Sequence, residues 1–258
     1  MKIGIIGAGA MGGAFANGIL NGKVIPADEL YVSNRSQGKL ESFSLRGAHV
    51  TTDNRAVAAA TDWVCLVVKP WLVEGVLADI ADLLTADKTL ICMAAGVDGD
   101  DLVKWGAQSC SVLTVIPNIA IAQGESMTFV LPIKASGALT NQVADLFDKL
   151  GKVCVCDEKL LQAGLALASC GIAYAFRYIR AACEGGVELG FDARQSRDIV
   201  MQTFLGAVTL LQREGLHPEE AVDRVTTPGG ISIRGLNAME EAGFTNAVIQ
   251  GLKACLRK

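Results

Sequence analysis

Several residue types are scarce in this 258-residue chain, and each shortage narrows what it does. There are two histidines, His49 and His217, too few for a histidine-based metal centre, so no metal is expected. Aromatic residues make up 5% of the chain, which leaves little on which to stack successive bases. Basic residues are outnumbered, 23 Lys and Arg against 27 Asp and Glu, for a formal net charge of -4. Phosphate backbones call for the opposite balance, so no nucleic-acid partner is expected. Six prolines, 19% charged residues and 51% hydrophobic residues exclude intrinsic disorder. The eight cysteines contain no Cys-x-x-Cys pair.

The opening residues, Met1-Lys2-Ile3-Gly4-Ile5-Ile6, run into glycine and asparagine rather than a compact apolar stretch, so a strand is expected there and not a signal peptide. Eight thiols without a secretory signal point to a reducing compartment, and a cytoplasmic location is expected. Cys154 and Cys156 flank Val155; on a strand they share a face and read as small buried hydrophobes. One uncharged stretch with a helical pattern, residues 160–176, has 17 residues, near the lower limit for a membrane span. It holds Gln162, Gly164, Ser169 and Gly171, so a helix buried in a core or a subunit interface is expected, and no membrane.

Up to residue 157, short apolar runs (3–6, 30–33, 64–68, 89–93, 112–116) alternate with helical patterns such as residues 10–20. The runs lack polar alternation, as strands covered on both faces do. Strand–helix alternation predicts a parallel, doubly wound sheet with right-handed crossovers. After Asp157 strand-like runs stop. A helix is expected from Glu158 to about Leu189, interrupted near Gly185-Gly186, and a second over residues 193–213. His217-Pro218-Glu219-Glu220 reads as a further helix start, and the last helices follow Thr227-Pro228-Gly229-Gly230. The fold class expected is therefore α/β: an N-terminal Rossmann-type doubly wound sheet, residues 1–157, followed by an all-helical domain, residues 158–258. The two main C-terminal helices are apolar around much of their circumference and call for a partner subunit, so a homo-oligomer is expected.

The first chemical motif is Gly7-Ala8-Gly9-Ala10-Met11-Gly12. It follows a strand and opens a helix, the context a dinucleotide fingerprint requires. Gly7 permits the tight turn, Gly9 lets the backbone approach a pyrophosphate, and Gly12 allows close helix–strand packing. Ile6, Ala8, Ala10 and Met11 complete the expected phosphate turn at a helix N-terminus. The end of the second strand reads Val32-Ser33-Asn34-Arg35-Ser36. An NAD site carries an acid there; here Arg35 is suited to a 2'-phosphate, with Asn34 and Ser36 beside it. NADPH is the expected cofactor and NADH a weaker alternative. Val67, Val68, Lys69 and Pro70 close one strand and Ala94, Ala95 and Gly96 the next, so both are placed at the cofactor cleft.

The second motif is Val225-Thr226-Thr227-Pro228-Gly229-Gly230-Ile231-Ser232-Ile233. Proline and two glycines break one helix, and the next starts with free N–H groups and hydroxyls. Thr226, Gly230, Ile231 and Ser232 are the candidate residues for holding a small carboxylate.

These motifs give the chain a resemblance to the pyrroline-5-carboxylate reductases over nearly its whole length. The matching residues include the glycine turn, Asn34-Arg35, Asp53-Asn54, Val68-Lys69-Pro70, Ala95-Gly96-Val97, Pro117-Asn118 and Ala173-Tyr174. The most specific stretch is Val225 to Gly230, followed by Gly235-Leu236, Glu240 and Gly243-Phe244. The resemblance implies NAD(P)H-dependent reduction of the C=N bond of 1-pyrroline-5-carboxylate to proline, the last step of proline biosynthesis. It adds Asn54 to the cofactor residues. It implies dimers built through the C-terminal helices, often assembled into decamers, and places a hydroxyl at the substrate nitrogen, here Ser232 in the catalytic position. The chain departs from the family pattern at Thr114, Ile119, Ser169 and Ile172. A reductase of a related cyclic imine or of a carbonyl, or a non-catalytic NADP-binding protein, stays open; against carbonyl chemistry, the long helix carries Lys159 only at its start.

Overall fold

The structure, a computed structural model, describes residues 1–256; residues 257 and 258, the end of the expected helical domain, lie outside the described residues. Contacts divide the chain into two compact units, Met1–Ser169 and Cys170–Lys258. The expected division at residue 157 falls at the start of a helix whose first turns pack on the sheet, through Leu161 against Ile116 and Leu131.

The first unit is built on one eight-stranded sheet in the order β3-β2-β1-β4-β5-β6-β7-β8. Its strands are β1 (Ile3–Ile6), β2 (Leu30–Ser33), β3 (His49–Thr51), β4 (Trp63–Leu66), β5 (Thr89–Cys92), β6 (Ser111–Ile116), β7 (Ser126–Lys134) and β8 (Gly151–Val155). β1 lies between β2 and β4, parallel to both, with Ile5 opposite Val32 on one side and Cys65 on the other. Every residue of β1, β4 and β5 is buried, which is why these runs show no polar alternation. On one face of the sheet Ile3, Ile5 and Val32 join Phe15 of α1 (Ala10–Gly22) and Phe147 of α6 (Gly137–Asp148), whose rings stack 5.2 Å apart. On the other, Ile6, Leu66 and Leu90 meet Val57 of α3 (Asn54–Ala60) and Leu77 and Ile80 of α4 (Val73–Ile80).

One expectation needs correcting: the sheet is mostly, not wholly, parallel. β7 runs antiparallel to β6, with Val115 opposite Val130, and β8 is again parallel to β7. Between β6 and β7 the chain has only the 3-10 turn Ile119–Gln123, too short for the crossover a parallel neighbour needs. The strands β4 and β5 also end earlier than expected. Val67, Val68 and Met93 leave the ladder, although Val67 N and Met93 N still donate to Ile6 O and Leu66 O at 2.9 and 3.0 Å.

The helix entering the second unit runs Glu158–Glu188. It comprises α7 (Glu158–Gly164), a π-helical turn (Leu165–Cys170) and α8 (Gly171–Glu188). No interruption occurs at Gly185-Gly186. A Cβ on Gly186 would sit 2.1 Å from Ser196 Oγ, so this glycine serves close approach of α9 (Ala193–Glu214) to α8 rather than a break. Ser196, buried, donates to Cys183 O at 2.8 Å. The remaining helices are α10 (Pro218–Arg224), α11 (Ile231–Glu241) and α12 (Phe244–Ala254). Among the described residues this unit has no fully buried apolar side chain; Phe176, Met201 and Leu205 are all exposed, Leu205 by 60%. The stretch 160–176 is partly uncovered within one chain: Leu161, Gly164 and Ala166 are buried, whereas Leu167 is 65% exposed. The helix Glu158–Glu188 is long and apolar enough to cross a membrane.

Candidate functional site

The carboxyl ends of β1, β2, β4 and β5 open on a cavity of about 600 Å³. At its floor is the glycine turn. Gly7 has φ 105°, and a Cβ there would lie 2.4 Å from Val67 O. A Cβ on Gly12 would lie 1.9 Å from Gly7 O. Both are glycine because backbone fills the space. Gly9 differs: a Cβ there would meet nothing within 4 Å, and Gly9 lines the cavity with Ala10 and Met11. Gly9 is also the N-cap of α1 and supplies no side-chain cap. The first-turn N–H groups are thus left for an anion, and the only thing absent at Gly9 is a methyl that would stand in its way.

At the end of β2, Ser33 is buried and its Oγ donates to Asn54 Oδ1 at 2.8 Å. That bond fixes Asn54, the first residue of α3, at the cavity wall, while Asp53 caps the helix by accepting from Arg55 N at 2.8 Å. Asn34 N donates to Thr51 O, and Asn34 Nδ2 donates to Ser36 O at 3.1 Å. Arg35 and Lys39 both line the cavity and are exposed. Among the described residues neither has an ion-pair partner. Among the described residues no carboxylate lines the cavity; Asp and Glu side chains there would repel a phosphate.

Of the expected cofactor residues, Ile6, Gly7, Gly9, Ala10, Met11, Asn34, Arg35, Asn54, Val68, Lys69, Pro70, Ala94 and Ala95 surround this space. Ala8 is turned into the core, Gly12 lies beneath the turn, Ser36 contributes a carbonyl to Asn34, and Gly96 forms a turn at φ 78°. Val67, expected at its strand end, also lines the cavity; the sequence reading missed Lys39, Leu72, Val76, Met93 and Ile119, which complete the lining. Leu72 and Val76 are four residues apart on the turn entering α4, a spacing that signals one face. Lys39, four residues after Arg35, had a charge signal. Ile119 is positioned by a polar network: Asn118 N donates to Ser126 Oγ at 3.1 Å, and Thr128 Oγ1 donates to the same oxygen at 3.0 Å. Ser169 Oγ holds Pro117 O at 3.3 Å.

The second motif lies in the second unit. Thr226 Oγ1 donates to Val222 O at 2.6 Å, so its proton is committed to the preceding helix. Gly229 turns the chain at φ 69°, and Gly230 N donates to Thr227 O at 2.9 Å. Gly230 is the N-cap of α11 without a side-chain cap. Ile231 is 79% exposed and Ser232 is exposed beside it. The turn therefore presents uncapped N–H groups and, among the described residues, the exposed and unbonded hydroxyls of Thr227 and Ser232.

Other reactive side chains have structural roles. His217 caps α10, its Nδ1 accepting from Glu219 N at 3.3 Å, and His49 stacks on Tyr31 at 4.5 Å. Burial drives the Cys65 thiol well above its ordinary range and pushes Cys92 up to about 11, so both stay neutral and inert. Cys154 and Cys156 are only half-buried, not buried as expected, because they lie on and just past Gly151–Val155, one of the two edge strands of the sheet.

Comparison with known proteins agrees with this arrangement. A family described as "Pyrroline-5-carboxylate reductase dimerisation" matches residues 158–258, and one described as "NADP oxidoreductase coenzyme F420-dependent" matches residues 2–96. The chain is 33% identical to a pyrroline-5-carboxylate reductase of Glycine max, over 99% of this chain and 94% of that protein. It is 32% identical to pyrroline-5-carboxylate reductase 1 of Dictyostelium discoideum over 97% of this chain, which spans about half, 48%, of that relative. Among solved structures, pyrroline carboxylate reductase of Plasmodium falciparum with NADP bound superposes with a TM-score of 0.91 at 26% identity, covering 99% of this chain and 95% of that one.

Proposed function

Because the chain belongs to the pyrroline-5-carboxylate reductase family, we propose that the cavity of the first unit holds its NADPH and that the turn at Gly230–Ser232 holds its substrate. The activity is the reduction of 1-pyrroline-5-carboxylate to L-proline with NAD(P)H, the last step of proline biosynthesis. When bound, NADPH supplies the hydride that reduces the C=N bond. The protein's own part is positioning, charge recognition and control of one proton.

The observation that carries the cofactor reading is open Gly9 in a cavity also lined by Arg35, Lys39 and Lys69, none of which has an ion-pair partner among the described residues. The uncapped N–H groups of α1 take the pyrophosphate. Arg35 takes the 2'-phosphate, with Lys39 as a second, point-like charge, and NADH binds more weakly for want of that group. Leu72 and Val76 offer an apolar face to the adenine, while Met93, Ala94 and Ala95 leave room at the nicotinamide end. Asn34 and Asn54 are held in place by hydrogen bonds within the chain, so ordering them on binding costs little.

In the second unit, the N–H groups of Ile231 and Ser232 hold the carboxylate. The Ser232 hydroxyl, free of intramolecular bonds, meets the ring nitrogen as it becomes an amine. A protonated imine needs no strong side-chain base, in keeping with two histidines that both have structural work. Thr226, its proton given to Val222, accepts rather than donates. The working division is a nucleotide-binding unit to residue 157 and a substrate and dimerisation unit from 158. The protein is a homo-oligomer; the assembly we propose is a dimer, with a decamer as the higher form, acting in the cytoplasm without nucleic-acid or membrane partners. Eight free thiols support the reducing location.

The test is direct. The near-ultraviolet absorbance of NADPH falls when 1-pyrroline-5-carboxylate is added, and proline accumulates in equal amount. Binding of NADPH with no turnover on that imine or on related cyclic imines would refute the catalytic reading.

A further inference from the structure

Two thiols and a phenol of the second unit meet at a place that imine reduction does not use. Tyr174, in the first turn of α8, carries its Oη 2.6 Å from Cys255 Sγ. The same hydroxyl donates to Gly251 O at 3.1 Å, and Cys255 Sγ lies 3.6 Å from that carbonyl. Cys170 precedes Tyr174 by four residues, hence on the same side of the helix. That is the helix side on which Tyr174 meets Cys255, and burial and the neighbouring Cys255 hold the Cys170 proton above the usual range. Tyr174 is pushed up to about 12, chiefly by Cys255, so the phenol stays neutral. Cys255 is exposed and Cys170 half-buried, unlike Cys65, Cys92 and Cys110, which are sealed in the sheet.

We propose that Cys170 and Cys255 are a redox modification site, joining as a reversible disulfide when the protein meets a hydroperoxide. Cys255, the exposed partner, loses its thiol proton to water and attacks the peroxide. A S–O bond forms, the O–O bond breaks, and the departing oxygen takes up a proton and leaves as water or an alcohol. The sulfur is oxidised to a sulfenic acid. Cys170 then loses its proton and attacks Cys255 Sγ; the S–S bond forms, the S–O bond breaks, and hydroxide takes up a proton and leaves as water. Two electrons pass from the thiol pair to the peroxide. The neutral Tyr174 hydroxyl is placed to donate to Cys255 sulfur once its proton is gone. The product ties the end of α12 to the start of α8, and a dithiol reductant reverses it.

The test uses the assembled, full-length protein treated with hydrogen peroxide, quenched by alkylation and mapped as peptides without reduction. The expected product is one linked pair of peptides carrying Cys170 and Cys255, within a single chain and lost on reduction with dithiothreitol. Cys170→Ser and Cys255→Ser each abolish it, whereas Cys183→Ser retains it; circular dichroism verifies that each variant is folded. The proposal is overturned if both thiols remain alkylated, if Cys255 is recovered only as a sulfinic acid, or if either cysteine is linked to another residue or across two chains. None of these readouts depends on the identity of the imine.

Discussion

Gly9 and Gly12 lie three residues apart in one helix start, and the structure assigns them opposite kinds of intolerance. Gly9 has φ -74° and ψ -162°, extended backbone open to any L-residue. A methyl there touches nothing, so Gly9→Ala should change stability by no more than about 0.5 kcal/mol. It should even gain slightly from a stiffer unfolded chain. Yet that methyl occupies the space through which the first-turn N–H groups reach a phosphate. Losing one hydrogen bond to a charged group costs about 1.5–3 kcal/mol, which is roughly 10- to 150-fold in Kd. Because the pyrophosphate is common to both nucleotides, NADPH and NADH should weaken by the same factor. At Gly12 the added carbon meets Gly7 O at 1.9 Å, a backbone atom that moves only with the whole turn. Gly12→Ala should therefore lower the melting temperature and lose soluble protein, at a cost at or above the roughly 1–3 kcal/mol of ordinary overpacking. Thermal unfolding followed by circular dichroism and fluorescence titration with both nucleotides separate the two effects. Wild-type NADPH affinity in folded Gly9→Ala would refute the assignment of this turn to the phosphates; so would a loss of binding that always tracks a loss of fold.

Other outcomes follow from the same geometry. Arg35→Ala should weaken NADPH about 10- to 100-fold and leave NADH within about twofold, whereas Lys39→Ala should cost NADPH less, because a single exposed point charge is worth about 1 kcal/mol or below; isothermal titration in low and high salt checks both, and equal losses for the two nucleotides would contradict the 2'-phosphate site. Ser232→Ala should lower turnover by roughly ten- to a thousand-fold with NADPH affinity nearly intact, and Ser232→Thr should keep most activity; an alanine variant within about twofold of wild-type kcat/KM would leave only a helix start there. Light scattering at micromolar protein should give at least twice the 27.0 kDa chain mass. Because burial raises Cys92 to about 11, the unfolded chain ionises this thiol first. Its contribution to stability is complete below about pH 8.5 and is lost as pH rises toward 11. Melting points measured across that window should fall, and a Cys92→Ala variant should show a shallower fall.

Strands β1, β2 and β4 to β6 were legible because burial on both faces leaves a continuous apolar run. β7 was not: its Ser126, Thr128 and Pro132 look like loop residues, and they are accommodated because Ser126 and Thr128 satisfy each other and Asn118. β3 is three residues at the sheet edge, below the length at which a pattern exists. The pair Gly185-Gly186 shows the limit of reading glycine alone, since the same residue marks a break or a close contact, and only the position of Ser196 decides. In the site, the glycine turn was readable because it constrains the backbone itself. Leu72, Val76 and Met93 depend on where the chain goes after each strand, and Lys39 on a 3-10 turn, Gln37–Lys39, bringing it round to the cavity.

A helical unit with no fully buried apolar side chain of its own among the described residues makes subunit number a thermodynamic variable. Its folding is a second-order event, so dilution acts as a denaturant. For a dimer, each tenfold drop in chain concentration removes about 1.4 kcal/mol from the assembled state. Unfolding midpoints should climb with the amount of protein in the cuvette, specific activity should decline in the most dilute assays, and a ligand that binds only assembled chains should restore both.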